Sequence, residues 1–136
     1  VVGEVHRFLA ERIFAAEMAG VARRNIVVDP GFGFGKTTAH NLQLLAQLRR
    51  FTELGVPVLA GLSRKKTIGE LTGREGPRER IFGSLAAHLV AAQNGAMLLR
   101  VHDVAATVDA LKVWNAVAAL PAPRKDAGKP EIAWPE

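Results

Sequence analysis

Cysteine is absent from the 136 residues, and so is tyrosine. Without thiols there is no disulfide framework and no thiolate metal site, a composition compatible with a cytoplasmic home. Aromatic side chains make up only 6% of the chain. No apolar run approaches the roughly 20 residues needed to cross a bilayer, which predicts a soluble protein. The N-terminus lacks a basic segment followed by an apolar core, so no signal peptide is expected. Val1 in place of methionine hints at a trimmed or incomplete chain. Long polar tracts are missing too, and with 49% apolar residues the chain reads as one globular domain.

The formal charge is +5, but the cations are scattered in short groups such as Arg23-Arg24, Arg49-Arg50 and Arg64-Lys65-Lys66. A nucleic-acid binder shows a concentrated basic stripe with interleaved aromatics, and this chain has neither. A small anionic substrate accounts for a few well-placed cations, and the rest read as solvated surface.

The most informative stretch is Ile26 to Thr37, IVVDPGFGFGKT. Ile26, Val27 and Val28 form an uninterrupted β-branched run, which predicts a short strand buried on both faces, and Pro30 stops it. Glycine then alternates with Phe32 and Phe34. Such a loop lets a ligand approach the main chain, and at least one ring is expected to face a flat ligand. The alternative is a tight strand-to-helix connection with both rings tucked over the core. A phosphate loop of the form GxxxxGK[ST] would need glycine where Pro30 stands. The dinucleotide fingerprint fails at Lys36. Nucleotide binding therefore stays a runner-up.

Along the chain, residues 2–19 carry Val5, Phe8, Leu9, Ile13 and Ala16 at helical spacing, closed by Gly20. Thr38 is the expected cap of a second helix with Leu42, Leu45, Leu48 and Phe51 on one face, closed by Gly55. Residues 56–61 predict a second strand. Ser63 is then expected to cap a short helix through Ile68 and Leu71, stopped by Gly73. A longer helix is predicted from Arg78 to Gln93, then a strand over 96–101. Asp103 is the expected cap of a last helix with Val104, Val108, Leu111, Trp114 and Val117 on its face. From Pro121 a proline-rich tail reads as extended, with Trp134 a candidate for docking.

One unit thus recurs three times: helix, glycine, short strand, polar cluster. Alternation of this kind implies right-handed crossovers and a parallel sheet, an α/β fold. The clusters Asp29, then Ser63 with Arg64 and Lys65, then Arg100 with His102 and Asp103 all follow strands. In parallel α/β folds those strand ends lie on one side, where sites form.

Each candidate has a plainer reading. Asp29 can simply cap its loop's amides, and Lys65 can be a solvated cation near a helix start, where the dipole opposes it unless an anion is near. Arg100 can be paired internally, with Asp103, and His102 can be satisfied by backbone. His6, His40 and His88 fall in helical segments and read as structural. No His and carboxylate set has metal-ligand spacing.

Four blocks taken together resemble the dihydropteroate synthases, the folate-pathway enzymes inhibited by sulfonamides. They are Asp29-Pro-Gly-Phe-Gly-Phe-Gly-Lys36, Gly61-Leu-Ser-Arg-Lys65 with Ile68-Gly69, Gly83-Ser84-Leu-Ala-Ala87, and Arg100-Val-His-Asp-Val104. The resemblance covers the chain up to about Leu120. It implies the C-terminal half of a TIM (β/α)8 barrel of the pterin-binding type over residues 1–120, with strands six to eight present, and a tail over 121–136. It also implies condensation of p-aminobenzoate with 6-hydroxymethyl-7,8-dihydropterin diphosphate, in a homodimer.

In that family's terms Asp29 would accept from the pterin's guanidine-like edge, and Lys65 would donate to its carbonyl and ring nitrogen. Arg100 would stack on the pterin and, with His102, hold the diphosphate. Gly33, Phe34, Gly61 and Ser63 would complete the substrate contacts. Phe34 and Ser63 would bound the aminobenzoate, its carboxylate near the start of the helix after Ser63. Lys36 receives no role. Magnesium would accompany the diphosphate, with its protein ligand, an asparagine, in a preceding half that this chain does not contain. A non-catalytic half-barrel that binds pterin or packs on a partner is the competing class. A methyltetrahydrofolate methyltransferase is a third, against which the Ser-Arg-Lys and Arg-Val-His-Asp blocks argue.

Overall fold

The computed structural model describes residues 1–122 and 135. The expectations for the tail, including Trp134, fall almost wholly outside the described residues. Helix α1 spans Val2–Met18, α2 Thr38–Ala46, α3 Arg49–Thr52, α4 Lys66–Thr72, α5 Ile81–Gln93 and α6 Val104–Ala118. Strands β1 (Leu59–Ala60) and β2 (Leu98–Leu99) pair in parallel, Leu59 opposite Leu98 and Ala60 opposite Leu99. On the other side of β1, Val28 bridges Val58, also in parallel. The Val28 amide donates to Pro57 O at 3.0 Å and the Leu59 amide to Val28 O at 2.8 Å. Three strand segments therefore lie side by side in chain order, joined by helical crossovers. This is the α/β architecture that the recurrent unit predicts. No helix among the described residues is long and apolar enough to cross a membrane.

The strands have one covered face rather than two. Side chains alternate across a sheet, and Val28, Val58 and Ala60 point into a core shared with Leu44, Leu48 and Phe51. The opposite face carries Val27, Leu59 and Leu98, of which Val27 is 46% exposed and Leu98 39%. The expectation that 26–28 is buried on both sides is therefore corrected: its apolar run serves the core with Val28 and leaves Val27 uncovered.

Local details depart from the sequence reading for identifiable reasons. Thr37, not Thr38, caps α2: its side chain accepts from the His40 amide while His40 Nδ1 accepts from the Thr37 amide, a reciprocal box. The helix breaks after Ala46; Leu45, Leu48 and Phe51 are buried as expected, joined by Leu44, while Leu42 is 40% exposed. On α1, Leu9 and Ile13 are buried with Val2, but Phe8 is exposed. The helix expected from Arg78 begins at Ile81, preceded by a tight 3-10 turn over Pro77–Arg80. On α6, Thr107 is the buried residue and Val104, Val108 and Val117 face outward.

Histidine 88 ties this scaffold together. It is 1% exposed. Its Nε2 accepts from the Leu62 amide (3.2 Å), which leaves the proton on Nδ1 to donate to Ser84 O, 2.8 Å away. Burial pushes the imidazole below its ordinary value. A base depressed on folding adds stability that is complete above the unfolded value of 6.5 and is lost as pH falls. Urea unfolding of the intact protein should therefore show stability falling below pH 6.5, and His88→Ala should cost about 2–5 kcal/mol through the orphaned Leu62 amide and a cavity. An alanine variant as stable as wild type at pH 7.5 would contradict this.

Candidate functional site

The three segments that follow the strand positions meet on one side of the sheet. Asp29 ends the first. One carboxylate oxygen accepts from the Gly31 amide at 2.9 Å, and the other lies 3.3 Å from Arg100 Nη1. Asp29 thus caps its loop and also reaches across to the third segment. Arg100 pairs with Asp29, not with Asp103 as the internal alternative has it. The reason is packing: the Arg100 guanidinium lies flat against Gly61, where a Cβ would come within 2.7 Å of Nη2. Glycine at 61 is what allows that approach.

Lys65 crosses from the second segment to the glycine–phenylalanine loop. Its Nζ donates to Phe32 O and sits 4.9 Å from the centroid of the Phe34 ring, a cation–π contact. Its stem runs over Gly33, at φ +83, where an added Cβ would be strained and 3.3 Å from Lys65 Cδ. Burial lowers the affinity of this lysine for its proton, the positive charge of Arg100 lowers it further, and Asp29 opposes both. The two rings of the loop divide their roles, Phe32 at 1% exposure belonging to the core and Phe34 at 69% standing free.

Ser63 does not cap the following helix. Its Oγ accepts from the His102 amide (3.1 Å) and lies 2.8 Å from His102 Nδ1. When the hydroxyl donates to Nδ1, Nε2 carries the proton on the exposed side of the ring. Asp103 likewise makes no cap bond to α6, because its carboxylate grips Arg64 at 2.7 and 3.2 Å.

A cleft of about 540 Å³ opens beside Lys65, walled by Phe34, Thr37, Thr38, Lys66, Thr67 and Glu70. A smaller recess of about 140 Å³ lies between Gly61, Ser63, Lys65, Arg100 and His102. Lys65 borders both. Phe34 supplies an exposed ring to the first, and the second gathers hydrogen-bond donors from Lys65, Arg100 and His102.

A family model described as pterin binding enzyme matches residues 1–102. The chain belongs to the pterin-binding enzymes. It is 52% identical over 120 residues to the dihydropteroate synthase of Neisseria meningitidis serogroup B, covering 86% of this chain and 42% of that protein. With the dihydropteroate synthase of Escherichia coli K12 it shares 48% over 116 residues, 85% of this chain and 41% of that one. Among solved structures, a Xanthomonas albilineans dihydropteroate synthase in complex with 7,8-dihydropteroate superposes with a TM-score of 0.87 at 74% identity, over 88% of this chain and 47% of the other. The same enzyme with 4-aminobenzoic acid also gives 0.87 at 74%, over 88% and 44%. The chain therefore spans about two-fifths of the length of these curated relatives. Its parallel strand–helix units are part of the pterin-binding TIM-barrel fold.

In this pterin-binding enzyme the sequence-named residues Asp29, Gly33, Phe34, Gly61, Ser63, Lys65, Arg100 and His102 all fall on the strand-end side, linked by the contacts described. Sequence reasoning missed Asn41. It is 2% exposed, accepts from the Gly33 amide at 3.0 Å and donates to Thr67 Oγ1 at 2.8 Å, so it anchors the phenylalanine loop to α4. The signal was there: Asn41, Leu44, Leu45 and Leu48 share one helical spacing, a polar residue on an apolar stripe. Lys36, left without a role, donates to Gly31 O (2.8 Å) and Phe34 O (3.1 Å), closing the loop on itself.

Proposed function

We propose that the intact protein is a dihydropteroate synthase, joining p-aminobenzoate to 6-hydroxymethyl-7,8-dihydropterin diphosphate with release of diphosphate. The observation that carries this reading is the convergence of Lys65, Arg100 and His102 around the recess, with Asp29 brought in from a third segment by its pairing with Arg100. Asp29 accepts from the pterin's guanidine-like edge and Lys65 donates to its carbonyl and ring nitrogen. Arg100 stacks on the pterin and, with His102 Nε2–H, holds the diphosphate. Gly33 and Gly61 keep the walls thin enough for Lys65 and Arg100 to reach in, and Ser63 orients His102.

The C–O bond to the methylene carbon breaks first, and diphosphate leaves with the electron pair. The resulting pterin cation takes the lone pair of the aniline nitrogen, which then loses a proton. Such a route gains most from fixed donors at the departing anion, which is electrostatic catalysis. Among the described residues no group of three or more His, Asp or Glu side chains could hold a metal. Magnesium enters this reading only as the counter-ion that arrives with the diphosphate.

The second substrate is assigned to the cleft beside Phe34. Phe34→Leu should then raise the KM for p-aminobenzoate about 3- to 10-fold, the worth of one aromatic contact, and that for the pterin less. The reverse order would move the ring to the pterin side. Val113, Val117 and Leu120 share one exposed face of α6 and its continuation, which supports a homodimer of the intact protein; a cytoplasmic setting belongs to the same reading. The deciding experiment is pteroate synthesis by the intact protein, followed by diphosphate release. No release with both substrates present would refute the assignment.

A further inference from the structure

We propose that the Arg64–Asp103 ion pair is a strut that sets the spacing between the Lys65 segment and the Arg100–His102 segment, and hence between the pterin and diphosphate ends of one bound ligand. This rests on the function proposed for those segments. Arg64 is the one non-glycine residue at positive φ among the described residues, at +58°. An L-residue with a long side chain is held there only when its surroundings over-determine it, and such outliers gather at functional sites.

Arg64 is held at its amide, its carbonyl and its guanidinium. Its amide donates to Ser84 Oγ at 2.9 Å, and its carbonyl accepts from Arg80 Nη1 at 2.9 Å. Its guanidinium makes the two-pronged grip on Asp103. The reversal at Arg64 sends its neighbours to different places: Ser63 inward to His102, Lys65 outward to the phenylalanine loop.

Asp103 directly follows His102 and gives up a helix cap to make this cross-segment bond. Its carboxyl is held below the ordinary range by the hydrogen bond from Arg64, so the pair stays charged at neutral pH. Neither partner lines the cleft or the recess. A pair that lines neither cavity yet joins the residue between Ser63 and Lys65 to the residue after His102 is placed to position, not to bind.

A strut of this kind matters most to a ligand that must reach both segments at once. The test uses the intact protein and three probes: 6-hydroxymethyl-7,8-dihydropterin diphosphate, 6-hydroxymethylpterin and inorganic diphosphate. Arg64→Lys keeps the charge and loses the fork; Asp103→Asn keeps the shape and loses the charge, and serves where the first variant does not fold. Each should weaken the joined ligand about 10-fold and each half-ligand less than about 2-fold, because misplacement removes the advantage of linkage rather than either contact. The double variant should be no worse than the singles. Equal losses for all three probes, the mark of a loosened fold, or an unchanged affinity for the joined ligand would overturn the strut. Wild-type protein that fails to bind the joined ligand would instead overturn the functional reading beneath it.

Discussion

Replacing Lys65 by alanine should weaken binding of the dihydropterin diphosphate to the intact protein by about 1–3 kcal/mol, and Asp29→Ala by a similar amount, the worth of a charged hydrogen bond. The two residues reach the site from different segments, Asp29 through Arg100 at 3.3 Å and Lys65 through the phenylalanine loop. Burial and the Arg100 charge already lower the proton affinity of Lys65. A lysine depressed on folding contributes stability only above the unfolded value of 10.5 and loses it as pH falls, so at neutral pH its charge is a standing cost. An electron-rich carbonyl beside Nζ relieves that cost. Lys65→Ala should therefore lower ligand affinity far more than it lowers the melting temperature. Calorimetry that finds both variants binding as wild type would end the assignment.

What could be read from the sequence follows from how local each signal is. Gly20, Gly73 and Gly95 end helices at positive φ, as their placement predicts, because a helix stop is written in one or two residues. The convergence of Asp29, Lys65 and Arg100 was also legible, since parallel connection puts every strand end on the same side. Partner choice was not. Ser63 and Asp103 both stand where a cap is expected, yet each bonds across 39 positions of sequence instead, to His102 and Arg64. Local propensity cannot anticipate a partner brought in by tertiary packing. Val27 teaches the same lesson from the other side: an apolar run says that burial is wanted, not which other strands supply it.

That uncovered face leads to the second expected result: the 136-residue chain, produced alone, should associate and should not turn over. The outer two of its three strand segments, at Val28 and at Leu98–Leu99, each have one unpaired edge among the described residues. Val27 and Leu98 lie open on the face opposite the helices. Open edges recruit further strands, and apolar surface left in water costs about 25 cal/mol per Å². The relatives that the chain matches are more than twice as long, which gives such a face its natural occupants in their case. The recess between Lys65, Arg100 and His102 is only about 140 Å³, small for the pterin diphosphate of the proposed reaction. Light scattering on the chain alone should find species larger than the 14.6 kDa monomer, and a coupled assay should find no diphosphate release. Adding the remaining strands of a relative's barrel should reduce the association. A monodisperse monomer with turnover would show that the exposed face needs no partner and that the three segments suffice for the chemistry.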